Sequence, residues 1–333
     1  MDKREHKYGL LIAPTGNLGD DIQSLAAALF LPRIDVFIDR DKTKLFGSSV
    51  PTKVIMNGWF THRPEDWPPS EDIVPLFISF HISPSVKEAL LSEKGVEYLK
   101  QFEPIGARDT YTQHLLLERG VKSYWSGCLT LALGEHLKLP RISGQVAIID
   151  LEEEALLALP KDLRSHATTE SNQLFPKVAS LLTALGQNPI ARTLKRFIRP
   201  YLHPERLSAD LYRLLSRHIG PAKRIELALS RLAVIASSEL VLTSRLHVAL
   251  SALAFNTPVI FVHSNLSDPR FGGFLPFLNH YQTTEFREIA GTISWDMVRN
   301  PNGDGLENVK SSLFKEVQAF LANKNLPTTT SRA

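Results

Sequence analysis

The chain has 333 residues, 43% apolar and 22% charged, with a formal net charge of +3 and one cysteine, Cys128. That length exceeds one ordinary core and predicts two domains. One cysteine excludes an internal disulfide and a cysteine-based zinc cage, and a +3 excess is too small to argue for nucleic acid. No window approaches the roughly 18 unbroken apolar residues of a membrane span. The charged start, Met1 to Lys7, is unlike a secretion signal, so a cytoplasmic protein is expected.

In chain order, an apolar run from Tyr8 to Ala13 predicts a buried strand, followed by turn chemistry at Pro14-Thr15-Gly16-Asn17. A helix is expected from about Gly19 to Phe30, stopped by Pro32. Short strands follow at Ile34 to Ile38, Lys53 to Met56 and Pro75 to Ser79, with an aromatic, proline-rich loop from Asn57 to Ser70 before the last. A helix near Val86 to Phe102 leads to a strand at Pro104 to Ala107 and a helix at Asp109 to Arg119, with Gly120 at its end. A boundary is expected between Leu133 and Gly144, so that residues 1–138 form one domain and 139–326 the other.

Val146 to Ile149 opens the second sheet. Residues 160–225 read as a helical, basic insertion with no clear strand; Arg192 to Arg224 holds nine cations against Glu205 and Asp210. That stretch is either a solvated helix face or a surface for an anionic glycan, a lipid headgroup or an acidic partner. Helix Ile225 to Ser237, strand Leu240 to Leu242, a helix to Phe255, strand Val259 to Val262 and a helix from Leu306 to Asn323 complete the pattern, and residues 327–333 are expected to be a disordered tail. Strands alternating with helices predict an α/β fold with doubly wound parallel sheets.

The segment Thr243-Ser244-Arg245-Leu246-His247 carries the chemistry. It turns a buried strand into a helix, with Ser244 as the expected N-cap and Arg245, Leu246 and His247 in the first turn. Unpaired N–H groups there favour an anion; Arg245 adds a cationic fork, and His247 can carry a proton near neutral pH. A cation at a helix start opposes the dipole, so a compensating anion is expected. The competing reading is that both side chains only cap and solvate a helix end.

The block from Val241 to Leu250, with Ala254 to Ile260, resembles the signature of polysaccharide pyruvyl transferases. Three further segments resemble that family in the same order: Asn17-Leu18-Gly19-Asp20-Asp21 as its NxGD turn, Gly106-Ala107-Arg108-Asp109 as its arginine-bearing strand end, and Ser267 to Leu275 as its D-x-K-x-x-G-F-L segment, with Arg270 in place of lysine. Met56 to Trp59, Trp67-Pro68-Pro69 and Ile78 to His81 resemble one branch of it.

The resemblance implies two Rossmann-like domains facing a cleft, a GT-B-like arrangement. It also implies transfer of a pyruvyl group from phosphoenolpyruvate to two hydroxyls of one sugar as a cyclic ketal. No metal or cofactor is implied, phosphoenolpyruvate being a co-substrate. The expected donor ligands are Arg108, Arg245, Leu246 and Arg270, with His247 as general acid. Asn17, Gly19, Asp20 and His81 are acceptor-side candidates; the sequence identifies no catalytic base, and Asp20 is the carboxylate nearest to one. The expected partner is a sugar or glycan, free or lipid-linked. A sugar-nucleotide glycosyltransferase and a catalytically silent glycan-binding protein of the same fold remain alternatives.

Overall fold

The computed structural model describes residues 6–13, 15–140, 142, 144–176, 211, 214–215, 218–301 and 303–323. The N-terminal lobe holds two parallel four-stranded sheets. The first is ordered β2-β1-β3-β5, from β1 (Lys7–Ile12), β2 (Val36–Asp39), β3 (Thr52–Ile55) and β5 (Ile73–Leu76). The second is ordered β4-β6-β7-β8, from β4 (Gly58–Phe60), β6 (Phe80–Ile82), β7 (Ile105–Ala107) and β8 (Ser123–Trp125).

The two sheets are offset parts of one. Met56 N donates to Leu76 O at 2.8 Å, Gly58 N to Ser79 O at 3.0 Å and Gly106 N to Phe77 O at 2.9 Å, bridging the joint. The ladder breaks where Gly58 and Ser79 take left-handed φ values of 105° and 56°. A serine in that region is uncommon, and the break re-aims the residues that follow it.

The second lobe carries one parallel sheet, ordered β10-β9-β11-β12-β13, from β9 (Val146–Ile149), β10 (Thr168–Glu170), β11 (Leu240–Thr243), β12 (Val259–Val262) and β13 (Asn279–Tyr281). Every residue of β11 and β12 is buried, as strands covered on both faces require. Strand order reverses beside the first strand of each lobe, which gives the expected α/β architecture of two Rossmann-like units. Strand β10 corrects the expectation of a strandless 160–225 segment, and β4 corrects the reading of 57–70 as loop throughout. Most of the basic stretch 192–224 and the tail 327–333 lie outside the described residues. No helix among the described residues is long and apolar enough to cross a membrane.

The lobes share one apolar core: Leu10, Ile22 and Leu25 of the first pack in a cluster with Val241, Leu246 and Leu250 of the second. Helix Leu18–Ala28 lies along helix Pro221–Ser237, and a buried ion pair crosses their seam. Arg224 Nε and Nη2 donate to the two Asp21 carboxylate oxygens at 2.7 and 2.9 Å, and Nη2 also reaches the carbonyls of Ala13 and Thr15. Helix Gly303–Ala322 then returns to the first lobe. There the buried Lys53 Nζ donates to the carbonyls of Phe320, Leu321 and Asn323 at 3.1, 3.2 and 2.6 Å, a cation closing a helix C-terminus.

Removing one member of a buried pair strands the other. Arg224→Ala is therefore expected to destabilise the protein by roughly 3–5 kcal/mol, read as a lowered urea midpoint. A change under about 1 kcal/mol would mean that the apolar core alone holds the lobes together.

Candidate functional site

The turn after β11 is built by hydroxyl groups that look outward from the segment. Thr243 Oγ1 donates to Ile149 O at 2.7 Å and accepts from Arg245 N at 3.0 Å. Ser244 Oγ accepts from Glu152 N at 2.9 Å and so is not the cap. The N-cap of helix Leu246–Ala254 is Arg245, with extended backbone and no capping side chain, which corrects both the expected cap and the placing of Arg245 in the first turn. Leu246 sends its side chain into the shared core, leaving only its backbone to meet a ligand. The anion that offsets Arg245 belongs to the protein: Arg245 Nε donates to Asp150 Oδ2 at 3.1 Å, at the end of β9. That pair stands where the strand order reverses, the usual ligand position in such sheets.

His247 leans on the NxGD turn of the other lobe. A Cβ on Gly19 would lie 3.0 Å from His247 Nδ1 and 3.2 Å from its Cβ, so any side chain there would crowd the ring by a few tenths of an ångström. Asn17 caps helix Leu18–Ala28 by accepting from Gly19 N at 3.0 Å, and it also accepts from Asn172 Nδ2 at 3.3 Å across the lobes. Asp20 is fully engaged, with Thr15 Oγ1 at 2.7 Å on one oxygen and Arg40 Nη1 at 2.9 Å on the other. Burial raises its pKa, but Arg40 and the Thr15 hydroxyl outweigh this and hold it below the usual carboxylate value. Such a carboxylate is a poor proton acceptor, which removes the case for Asp20 as base.

Arg108 is 1% exposed, with Nε 3.4 Å from an Asp109 oxygen. His81, fully buried, has Nδ1 at 2.5 Å from the same Asp109 oxygen, while the other Asp109 oxygen caps helix Thr110–Glu118 through Thr112 N. Arg270 is forked onto Asp268 at 2.9 and 2.7 Å. The loop that carries it packs on the first lobe: a Cβ on Gly273 would lie 2.6 Å from the Trp125 ring, and Thr110 N donates to Gly272 O at 3.3 Å.

These groups form one electrostatic unit. Burial, Arg108 and Arg270 push the His247 imidazole down to about 3, against the pull of Asp20. Burial and Arg108 likewise push His81 down to about 4, against Asp109. With only protein around them, both histidines are neutral at pH 7. Several buried polar atoms have no hydrogen-bond partner among the described residues: Arg108 Nε and Nη2, His81 Nε2, His247 Nε2, Arg40 Nε and Nη2, Gln23 Oε1 and Ser79 Oγ. Buried polar atoms are normally paired, and a group of them around four cationic or imidazole side chains fits a polar, anionic ligand.

Arg40, Gln23 and Glu152 are functional candidates that no motif marks, and Asp109 lies in a motif but was given no role there. The visible sign of Arg40 is its place just past β2, in Asp39-Arg40-Asp41, where a strand end meets a ligand face. Glu152 ties together the loops after β9, β12 and β13 by accepting from Ser264 N and Oγ at 3.0 Å and from the Thr283 hydroxyl.

A family model described as polysaccharide pyruvyl transferase matches residues 17–265, and the chain belongs to that family. None of the curated proteins matches the chain. Among solved structures, a functionally uncharacterized protein from Klebsiella pneumoniae subsp. pneumoniae NTUH-K2044 aligns at 12% identity and a TM-score of 0.42, over 84% of this chain and 92% of that one. That likeness is too slight to bear on fold or function.

Two outcomes follow from this geometry. Gly19→Ala favours the helix by about 1 kcal/mol yet pushes on His247. Unfolding by urea should show no loss of stability, while ligand binding or turnover at the site drops at least tenfold; unchanged activity would show that His247 moves aside freely. The second outcome concerns pH. A histidine depressed below its unfolded pKa of about 6.5 stabilises the fold fully above that pH, and the contribution is lost as pH falls below it. The urea midpoint should therefore fall between pH 6.5 and 4.5, and His247→Gln should flatten that fall.

Proposed function

We propose that this member of the polysaccharide pyruvyl transferase family moves a pyruvyl group from phosphoenolpyruvate to two hydroxyls of one sugar, in a glycan or glycan precursor, and releases phosphate. The observation that supports this best is the convergence of two arginines from the two lobes, the buried Arg108 and the exposed Arg270, on His247, whose imidazole both push down in pKa. Phosphoenolpyruvate carries a carboxylate and a phosphate on adjacent atoms, so its recognition calls for several cations at one point. The start of helix Leu246–Ala254 adds N–H donors on the same side.

In this reading Arg108, Arg245 and Arg270 hold the donor, with the backbone at Leu246. His247 is the general acid. Its depressed pKa keeps it neutral beside Arg108 and Arg270; the charge of a bound phosphate opposes those cations and restores the proton. Protonating the methylene carbon makes the adjacent carbon an oxocarbenium-like centre. A sugar hydroxyl adds there, a second hydroxyl closes the ketal ring, and the C–O bond to phosphate breaks as phosphate leaves. The scheme draws on no metal, and its donor suits a cytoplasmic enzyme. Asn17 and Gly19 shape the acceptor side by fixing the turn against His247.

Incubation with phosphoenolpyruvate and a panel of glycosides should release phosphate and form a ketal visible by mass spectrometry. His247→Ala should lower that rate by about 10²–10⁴-fold, the usual contribution of a positioned acid. Nucleotide release from sugar nucleotides, with none of the phosphate, would replace this reading by a glycosyltransferase.

A further inference from the structure

The joint between the two N-terminal sheets lines up three unlike side chains. Strand β4 pairs with β6 so that Trp59 lies beside His81, and Phe80 pairs with Ala107 on β7, which puts Arg108 next to His81. Arg108 N donates to Phe80 O at 2.9 Å, which fixes that register. Neighbours in register point to the same face, about 4.8 Å apart per strand. Trp59, His81 and Arg108 therefore form a row on one face, while Phe60, Phe80, Ile82 and Ala107 fill the apolar core on the other.

The middle member of the row is held in one orientation and one tautomer. Asp109 lies 2.5 Å from His81 Nδ1 and is kept ionised by His81 and Arg108, although burial opposes this; Thr112 Oγ1 adds a contact to Nδ1 at 3.2 Å. The proton therefore sits on Nδ1, and Nε2 is left as an acceptor. That atom is buried and has no partner among the described residues. Trp59, half-buried, offers an indole beside it, braced by His62 at 4.4 Å and by Arg40 at 5.5 Å from its ring.

We propose that His81, oriented by Asp109, is the catalytic base that takes the proton of the attacking acceptor hydroxyl, with the sugar ring lying against Trp59. This rests on the pyruvyl-transfer reading above. In the first step the hydroxyl oxygen forms a bond to C2 of the donor and its proton passes to His81 Nε2, while C3 takes a proton from His247 and becomes a methyl group. In the second, the other hydroxyl oxygen bonds to C2, the C2–O bond to phosphate breaks, and phosphate leaves with that electron pair and the second hydroxyl's proton. The row thus runs in the order of the reaction: acceptor at Trp59, base at His81, donor at Arg108. Arg108, Arg270 and Asp109 are the charged groups that act on His81; the donor's negative charge offsets the two arginines and strengthens the base as the donor binds.

The test uses phosphoenolpyruvate and a panel of p-nitrophenyl hexopyranosides, with ketal formation and the donor-induced thermal shift read in parallel. His81→Gln should lower kcat by about 10²–10⁴-fold while the thermal shift with phosphoenolpyruvate alone persists. Added imidazole should restore part of the activity of His81→Gly, an effect that a merely structural histidine would not show. Trp59→Leu should raise the acceptor KM with a smaller change in kcat. A His81→Gln protein within threefold of wild-type kcat, or one that loses the phosphoenolpyruvate shift together with its activity, overturns the assignment. A wild-type protein that forms no ketal with any glycoside overturns the pyruvyl-transfer reading itself.

Discussion

The site depends on one expensive arrangement: Arg108 is buried, and its ion-pair partner among the described residues, Asp109, stands 3.4 Å away. Taking a guanidinium out of water costs several kcal/mol even after relaxation. Asp109 meets only part of the demand, because its oxygens also serve His81 and a helix start. The field that remains adds to burial in lowering the pKa of His81 and His247, and at Cys128 it only opposes the burial that pushes the thiol up. A ligand with two anionic groups turns that penalty into binding energy. The fold must carry the penalty until then, and the shared apolar core with the Asp21–Arg224 seam supplies the rigidity to do so.

Both lobes solve the positioning problem alike. Each winds its sheet outward from a reversal point, and each places its charged turn at the strand ends beside that point: Asn17 to Asp20 after β1, Asp150 and Arg245 after β9 and β11. The first lobe adds a break in its ladder at Gly58 and Ser79. Without the offset, Trp59 and His81 would continue the core strands β3 and β5. With it, they form the first part of a polar row that ends at Arg108. Local backbone strain and orphaned polar atoms coincide at Ser79, a pairing more usual at functional positions than in scaffolding.

Much of this was legible in the sequence. Parallel strands buried on both faces read as unbroken apolar runs, so β1, β9, β11 and β12 lie within a residue or two of their expected positions. The charged turns were visible because short motifs concentrate unusual residues. Strands β4, β8, β10 and β13, three residues each, were not, since so short a strand has no period to detect. The cap after β11 escapes a local reading for a related reason. Thr243 and Ser244 are alike locally, and only their distant partners, Ile149 O and Glu152 N, decide which role each takes. Arg224 with Asp21 and Arg40 with Asp20 are long-range pairs that no local pattern announces.

The two site histidines differ in surroundings although the groups are identical. Both are depressed by burial and by the same arginines. They differ in what stands behind the ring. His81 has a carboxylate on Nδ1, which fixes the tautomer and stabilises the imidazolium that forms when Nε2 takes a proton. His247 rests instead on the backbone of Gly19, and its nearest electrostatic help is an aspartate whose oxygens are already committed to Thr15 and Arg40. A ring with a carboxylate on its far nitrogen suits the acceptance of a proton. A ring whose charge depends on an incoming anion suits its release once that anion's bond begins to break. In the proposed ketal formation, one hydroxyl loses a proton to a base while a carbon gains one from an acid, so one group of each kind is used.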